Sequence, residues 1–322
     1  MPEHCYVGID TSNYTTSLAV ADDSGRVVTN LKMPLPVKDG GRGLRQSDAV
    51  FAHVKNLPRL MPELGRVLME YKTCAIGVSV RPRDAQDSYM PCFLTGEAAA
   101  RSMAAALHVP VYCFSHQSGH LMAALYSSGA AEALKGQTFG AFHVSGGTTE
   151  MLLVHPNGTD FSVELLGGSA DLHAGQAIDR IGVAMGLSFP CGPALEKLAL
   201  TNTKKIPKPR IAVREGTCNL SGLENLALDL YRKSGDASLT AAFVLRFLSE
   251  TLAAMADWLR KTRGDLPILF SGGVMSNRII AGELTQRLGE VFFAEPAFSA
   301  DNAAGIALLC HARAKEALQS SL

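Results

Sequence analysis

The sequence predicts a duplicated mixed α/β protein, each half opening with a three-stranded meander and continuing as alternating helices and strands. Two observations carry this reading. The run DTSNYTTSLAV (residues 10–20) is repeated in layout by HVSGGTTEMLLV (143–154). Ser12 corresponds to Ser145, Thr15 and Thr16 to Thr148 and Thr149, and each run closes on valine. Each meander is then followed by helix-like and strand-like segments in alternation. The boundary falls near residue 138, giving an N-terminal domain of residues 1–138 and a C-terminal domain of 139–322, with the last helix expected to return to the first domain.

The elements follow in order. CYVGIDTSNYTTSLAVADDSGRVV alternates apolar runs with turn residues and reads as three antiparallel strands, with Asp23–Gly25 as a turn. Residues 47–71 and 94–108 read as helices, the second rich in Ala, the best helix former. Strands are expected at 74–80 and 109–114. From 139 the meander pattern restarts, with Asn157–Gly158 as its turn. A long helix is expected over about 236–262, where Leu245, Leu248, Leu252, Met255 and Leu259 form one apolar face. Asp236 or Ser238 caps it and Gly264 ends it. PILFSGGVMSN reads as a strand and glycine turn, EVFFAEP as a strand, and DNAAGIALLCHARAKEAL as a terminal helix.

Composition bounds the function. Hydrophobic residues are 47% and charged residues 19%, the balance of a soluble enzyme and not of a disordered chain. The formal net charge is zero, so any nucleic-acid contact must be a local patch. No apolar run approaches the roughly 18–20 residues of a membrane span, and MPEHCYVGID lacks the pattern of a secretory signal. Seven cysteines, odd in number and without a CxxC pair, read as reduced thiols of a cytoplasmic protein. The glycosylation-like triplets at Asn13 and Asn157 are then irrelevant.

Three small turns suggest phosphate binding. Ser145, Gly146, Gly147 and Thr148 offer unshielded amides and hydroxyls, as do Gly272 and Gly273 in FSGGVMSN, and the first hairpin is the repeat-equivalent of one of them. Neither GxxxxGK[ST] nor GxGxxG after a strand is present, so P-loop and Rossmann readings are unsupported. Asp10, on the first hairpin, is the candidate catalytic carboxylate. In SHQSGHLMAALY, His116 and His120 lie four apart at the start of a helix capped by Ser115, which puts both imidazoles on one face. That spacing suits a metal clamp, and it equally suits a satisfied surface pair. Gln117 stands where HExxH has its glutamate, which removes the zinc-protease base. Asp301 and His143 are candidates for further ligands, although an aspartate opening a helix also serves as a cap.

Taken in order, HQSGH, LMAAL, VSGGTTE, AGQAIDRIGVAMGLSFPCGPALEKLA, LSGLENLA, SGGVMSN and SADNAAGIAL resemble the TsaD family, formerly described as a glycoprotease, which makes threonylcarbamoyladenosine in tRNA. The resemblance extends over nearly the whole chain. It implies the actin-like ATPase fold (acetate and sugar kinase, heat-shock protein, actin), two duplicated RNase H-like domains around a nucleotide cleft. By resemblance, His116, His120 and Asp301 match the metal ligands, and His143 falls where some members carry a metal-reaching tyrosine. Val144, Ser145, Gly146, Gly147 and Thr148 match the loop that holds threonylcarbamoyl-adenylate. Asp179, Gly192 and Asn277 match further ligand contacts, Asp179 on the ribose hydroxyls. The implied activity is metal-dependent threonylcarbamoyl or carbamoyl transfer, with one divalent ion, iron or zinc, and ATP or threonylcarbamoyl-adenylate as ligand. Implied partners are an adenine nucleotide, tRNA, and a small protein or second copy, with no membrane.

The departures point to a divergent paralog. The family's first loop usually reads TSCDET, and here it is TSNYTTS, with Asn13 and Tyr14 in place of the acidic residue. The GPG loop is replaced by SVRPRDAQDSYMP (79–91), and Thr148 ends the usual VSGGH. A different acceptor, or nucleotide binding in support of a partner without turnover, fits these changes. An actin-like kinase leaves the histidine pair unexplained. Arg81 and Arg83 read as phosphate contacts or as a solvated loop. The segment KKIPKPRIAVR (204–214), with five cations and two prolines, reads as a tRNA-backbone contact or as a solvated face; it carries no stacking aromatic.

Overall fold

Both glycine-poor and glycine-rich hairpins sit at corresponding places in two sheets of identical order. The computed structural model describes residues 3–12, 14–36, 44–300 and 302–320. The first part of the chain runs β1 (Glu3–Thr11), β2 (Thr15–Asp22), β3 (Val27–Pro34), α1 (Gln46–Leu68), β4 (Tyr71–Arg81), α2 (Phe93–Leu107), β5 (Val111–Ser115) and α3 (His116–Ser127). Its sheet has the order β3-β2-β1-β4-β5, with β2 antiparallel to β1 and β3, and β4 parallel to β1 and β5.

The second part repeats the plan with insertions. It comprises β6 (Phe139–Val144), β7 (Thr149–Asn157), β8 (Asp160–Gly168), α4 (Ala174–Ala184), α5 (Gly192–Leu200), β9 (Val213–Arg214), β10 (Thr217–Cys218), α6 (Ser221–Ser234), α7 (Ala237–Arg263), β11 (Ile268–Ser271), a 3₁₀ turn (Gly273–Ser276), α8 (Arg278–Leu288), β12 (Val291–Phe293) and α9 (Pro296–Ser299). The sheet order β12-β11-β6-β7-β8 is the first sheet's order read from the other edge. α10 (Ala304–Gln319) ends the chain.

Contacts divide the chain into one unit of Met1–Ser127, Pro156–Ser162 and Ala300–Leu322 and another of Ser128–His155 and Val163–Ser299. The sequence predicts a boundary near residue 138 with the last helix returning to the first domain. The units interleave because packing, not chain order, defines them: the β7–β8 tip contributes Phe161 to a cluster with Tyr6, Phe114, Ile306 and Leu309, so the tip and α10 belong with the first sheet.

In the first unit β1 is buried on both faces. Val7 and Ile9 face Leu57, Leu60 and Leu64 of α1, while Tyr6 faces α10. Such a two-sided burial is what a parallel central strand requires. In the second unit Phe142, Phe270 and Phe293 stack across β6, β11 and β12 with centroids 4.9 and 5.2 Å apart. α7 is capped by Asp236, whose side chain accepts from Leu239 N–H. α7 is long and apolar enough to cross a bilayer, and 83% of its most apolar window is buried in the protein. All seven cysteines are free thiols, five of them buried.

Candidate functional site

The histidine pair of the first unit is built by a strand-to-helix junction. β5 ends at Ser115 and α3 begins at once, with Ser115 Oγ accepting Ser118 N–H at 3.0 Å as a cap. α10 pins this helix from behind. A Cβ on Gly305 would stand 1.8 Å from Gly119 O, so only glycine permits the crossing that fixes the helix between the two histidines. His116 Nε2 and His120 Nε2 are 3.0 Å apart, with ring centroids at 4.4 Å.

Asp10, wholly buried near the end of β1, sets the state of that pair. His116 Nδ1 lies 3.0 Å from Asp10 Oδ1, and Ser79 Oγ–H donates to the same oxygen. A carboxylate accepts, so Nδ1 of His116 carries the proton and its Nε2 lone pair faces His120. This is the arrangement by which an outer carboxylate orients a metal-binding imidazole. Two nitrogens each bound at about 2.0–2.1 Å to one ion, at about 90–110°, lie about 2.9–3.4 Å apart. The observed separation fits a metal ion. Among the described residues no cluster of three or more His, Cys, Asp or Glu side chains able to hold a metal occurs. Asp301, the third ligand expected by resemblance, lies outside the described residues, as does Asn13.

The first hairpin is locked to α1. His53 is wholly buried, with Nε2 2.8 Å from Ser12 O and Nδ1 2.8 Å from Thr16 Oγ1. A carbonyl only accepts, so Nε2 bears the proton and Thr16 donates to Nδ1. Asn56 Nδ2 donates to Thr16 Oγ1 in turn at 3.1 Å. Burial pushes the His53 pKa below its ordinary value, partly offset by the bond to Ser12.

The repeat-equivalent turn in the second unit is held in the same manner. Thr149 Oγ1, the counterpart of Thr16, accepts the N–H of Ala174 at 2.9 Å, the first residue of α4. Ser145 N–H donates to Thr148 O at 2.8 Å, and Gly175 N–H donates to Ser145 O at 3.1 Å. A Cβ on Gly175 would lie 2.7 Å from Gly146 Cα, so the N-terminus of α4 abuts the turn directly. Gly146 and Gly147 are exposed, and Val144 is buried behind them.

A cavity of about 320 Å³ opens from this turn, lined among others by Gly146, Asp179, Gly192, Gly273 and Asn277. Five residues singled out from the sequence thus meet in one place, from β6–β7, α4, α5 and the β11–α8 junction. Asp179 Oδ1 accepts Cys191 N–H at 2.8 Å, which ties the start of α5 to α4. Asn277 Oδ1 caps α8 by accepting from Ile279 and Ile280 N–H at 3.1 Å, so its amide NH₂ is the end that points away from the cap duty. Val144, Ser145, Gly147, Thr148 and Gly272 are not among the residues lining the cavity. His143 Nδ1 sits 3.2 Å from Ser271 Oγ, on neighbouring strands of the second unit.

Sequence reasoning missed Glu196 and Pro190, which line the cavity, and Phe189, 74% exposed beside Pro190. Glu196 Oε1 also accepts Arg278 N–H at 2.8 Å. Its position one turn after Gly192 was the available signal. Arg81, read as a phosphate contact or a solvated side chain, is bound to Asp84 as an ion pair. The segment that replaces the GPG loop is tied to α3, with Gln117 N–H donating to Pro82 O at 3.0 Å and Ser118 Oγ–H to Asp84 Oδ2 at 3.3 Å.

Two RNase H-like units with sheets of one order define the actin-like ATPase fold class. The chain belongs to the TsaD family: the model described as tRNA N6-adenosine threonylcarbamoyltransferase matches residues 89–308, more than half of the chain. Among solved structures, it resembles full-length HypF in a phosphate- and nucleotide-bound form (12% identity, TM-score 0.61, 96% of this chain and 55% of that one). HypF from T. kodakarensis is similar at 14% identity and TM-score 0.63, with 98% of this chain and 48% of that one covered. The chain therefore spans about half the length of the HypF structures it matches. The activator of 2-hydroxyisocaproyl-CoA dehydratase from Clostridium difficile with bound ADPNP is similar over 98% of this chain and 97% of that one, at 11% identity and TM-score 0.53. At these identities the likeness is one of fold.

Proposed function

We propose that this chain is a metal-dependent transferase of a threonylcarbamoyl or carbamoyl group to an adenosine of tRNA. The observation that supports it most is the convergence of His116 and His120 at 3.0 Å with His116 oriented by buried Asp10. His116 and His120, with Asp301, would hold one iron or zinc ion, which when bound supplies Lewis-acid polarisation of the carbonyl to be attacked. The rest of the work falls to the chain's own groups. The amides of Gly146 and Gly147, next to the N-terminus of α4, suit the adenylate phosphate. Asp179 accepts from the ribose hydroxyls, and the Asn277 NH₂ donates to the nucleotide. Asp10 keeps the proton of His116 on Nδ1 and its Nε2 lone pair available. Cytoplasmic location fits the free thiols.

The test is incubation of the purified protein with threonylcarbamoyl-adenylate and unmodified tRNA, followed by mass spectrometry of the nucleosides. Threonylcarbamoyladenosine formed by the wild type and lost in His116→Ala is the expected result. Tight adenylate binding without any modified nucleoside would replace this reading by that of a nucleotide-binding paralog.

A further inference from the structure

We infer that Lys205, Lys208, Arg210 and Arg214 form a rail that docks the phosphodiester backbone of the acceptor RNA. The inference rests on the transferase reading and adds the surface by which the acceptor is held. The segment alternates between inward and outward residues. Ile206, Ile211 and Val213 pack against the core of the second unit and Pro209 is buried, while the four cations are exposed. Three aliphatic anchors and two prolines, one of them buried, thus seat an irregular strand on the surface with its charges outward. The segment ends in a two-residue hairpin, β9–β10, turned by Glu215 (φ 50) and Gly216 (φ 75), the signature of a type I′ turn.

The charges are not consumed internally. Lys204, the first cation of the run, is paired with Asp236 at 2.7 Å. Among the described residues none of the other four has an ion-pair partner, and Glu215 is the one carboxylate between Lys204 and Cys218. In a chain of zero net charge, four uncompensated cations within ten positions are a local field for a polyanion. Extended, Lys205 to Arg214 spans at most about 30 Å, the reach of several phosphates. α5 links rail and cavity within one unit. Gly192 lines the cavity at its first residue, and the rail begins just past Leu200 at its last, about 12 Å along the axis. No large apolar side chain is exposed within the rail, which favours RNA over a lipid surface.

The test measures binding of an unmodified tRNA transcript, and of phosphatidylserine vesicles, to the wild type and to K205A/K208A/R210A/R214A at 50 to 200 mM salt. Adenine-nucleotide binding serves as the check that the variant is folded. Four lost phosphate contacts remove a salt dependence of about 50- to 150-fold over that range. The expected result is weaker tRNA binding by the variant, a correspondingly flatter salt slope, and unchanged nucleotide affinity. An unchanged tRNA slope, or binding of vesicles in preference to tRNA, overturns the rail. Product formation is scored separately: tRNA modified by a protein whose slope ignores these residues overturns the rail alone. Binding through the rail without product supports the rail and counts against the transferase reading.

Discussion

His116 Nδ1 stands 3.0 Å from Asp10 Oδ1, joining the first strand of the chain to the helix that follows its fifth. The bond makes Asp10 a positioning residue of the histidine pair. Asp10→Ala is expected to weaken metal binding about 10- to 100-fold while leaving both imidazoles in place. Metal titration of the apo-protein checks this. Equal affinity in the variant would show that the carboxylate plays no part in orienting His116.

The contact of α4 with the glycine turn yields a second outcome. Gly175→Ala forces a Cβ to within 2.7 Å of Gly146 and must displace the turn. Adenine-nucleotide affinity is expected to fall at least about tenfold, roughly the effect of 1.4 kcal/mol. Calorimetric titration decides it, and an unchanged affinity would remove the turn from the nucleotide site.

Asp179 has two duties that substitution can separate. Asp179→Asn keeps an acceptor for Cys191 N–H, whereas Asp179→Ala loses it. Nucleotide affinity is expected to fall in both. Thermal stability is expected to fall only in the alanine variant, by about 1–3 kcal/mol for the unsatisfied amide. A nucleotide affinity untouched in both would exclude the ribose role.

The buried His53 ties stability to pH. Its folded pKa is lowered, so the unfolded chain binds the proton more readily. The stabilisation is complete above the ordinary value of 6.5 and is lost as pH falls from there toward the folded pKa. The melting temperature is therefore expected to drop between pH 7.5 and about 5.5. His53→Leu is expected to be about 2–4 kcal/mol less stable at pH 7.5, because Ser12 O loses its donor and the Thr16 hydroxyl its acceptor, and to show a smaller drop. Part of the slope stays, since burial lowers the pKa of His311 as well. A variant with the full wild-type slope would contradict the assignment.

Much of the fold could be read from residues whose constraints are local. The repeated Ser–Thr–Thr hairpins gave away two sheets of one order, because each second threonine is needed at the same hydrogen-bonded corner: Thr16 with His53, Thr149 with Ala174. Of the five cavity residues, Gly146 and Gly273 were legible in their glycine turns, whereas Asp179, Gly192 and Asn277 were marked only by the family resemblance. Long-range pairings were not legible. Nothing near Asp10 in sequence announces His116, and nothing near Lys204 announces Asp236. The place of the β7–β8 tip in the first unit escaped for the same reason: the apolar character of Phe161 says that it is buried, and not against which sheet.

Elemental analysis of the purified protein beside His116→Ala/His120→Ala tests the central claim most directly. The account predicts about one iron or zinc ion per wild-type chain, and none in the double variant. A wild type that holds no ion after reconstitution, or a double variant that holds as much, would contradict it.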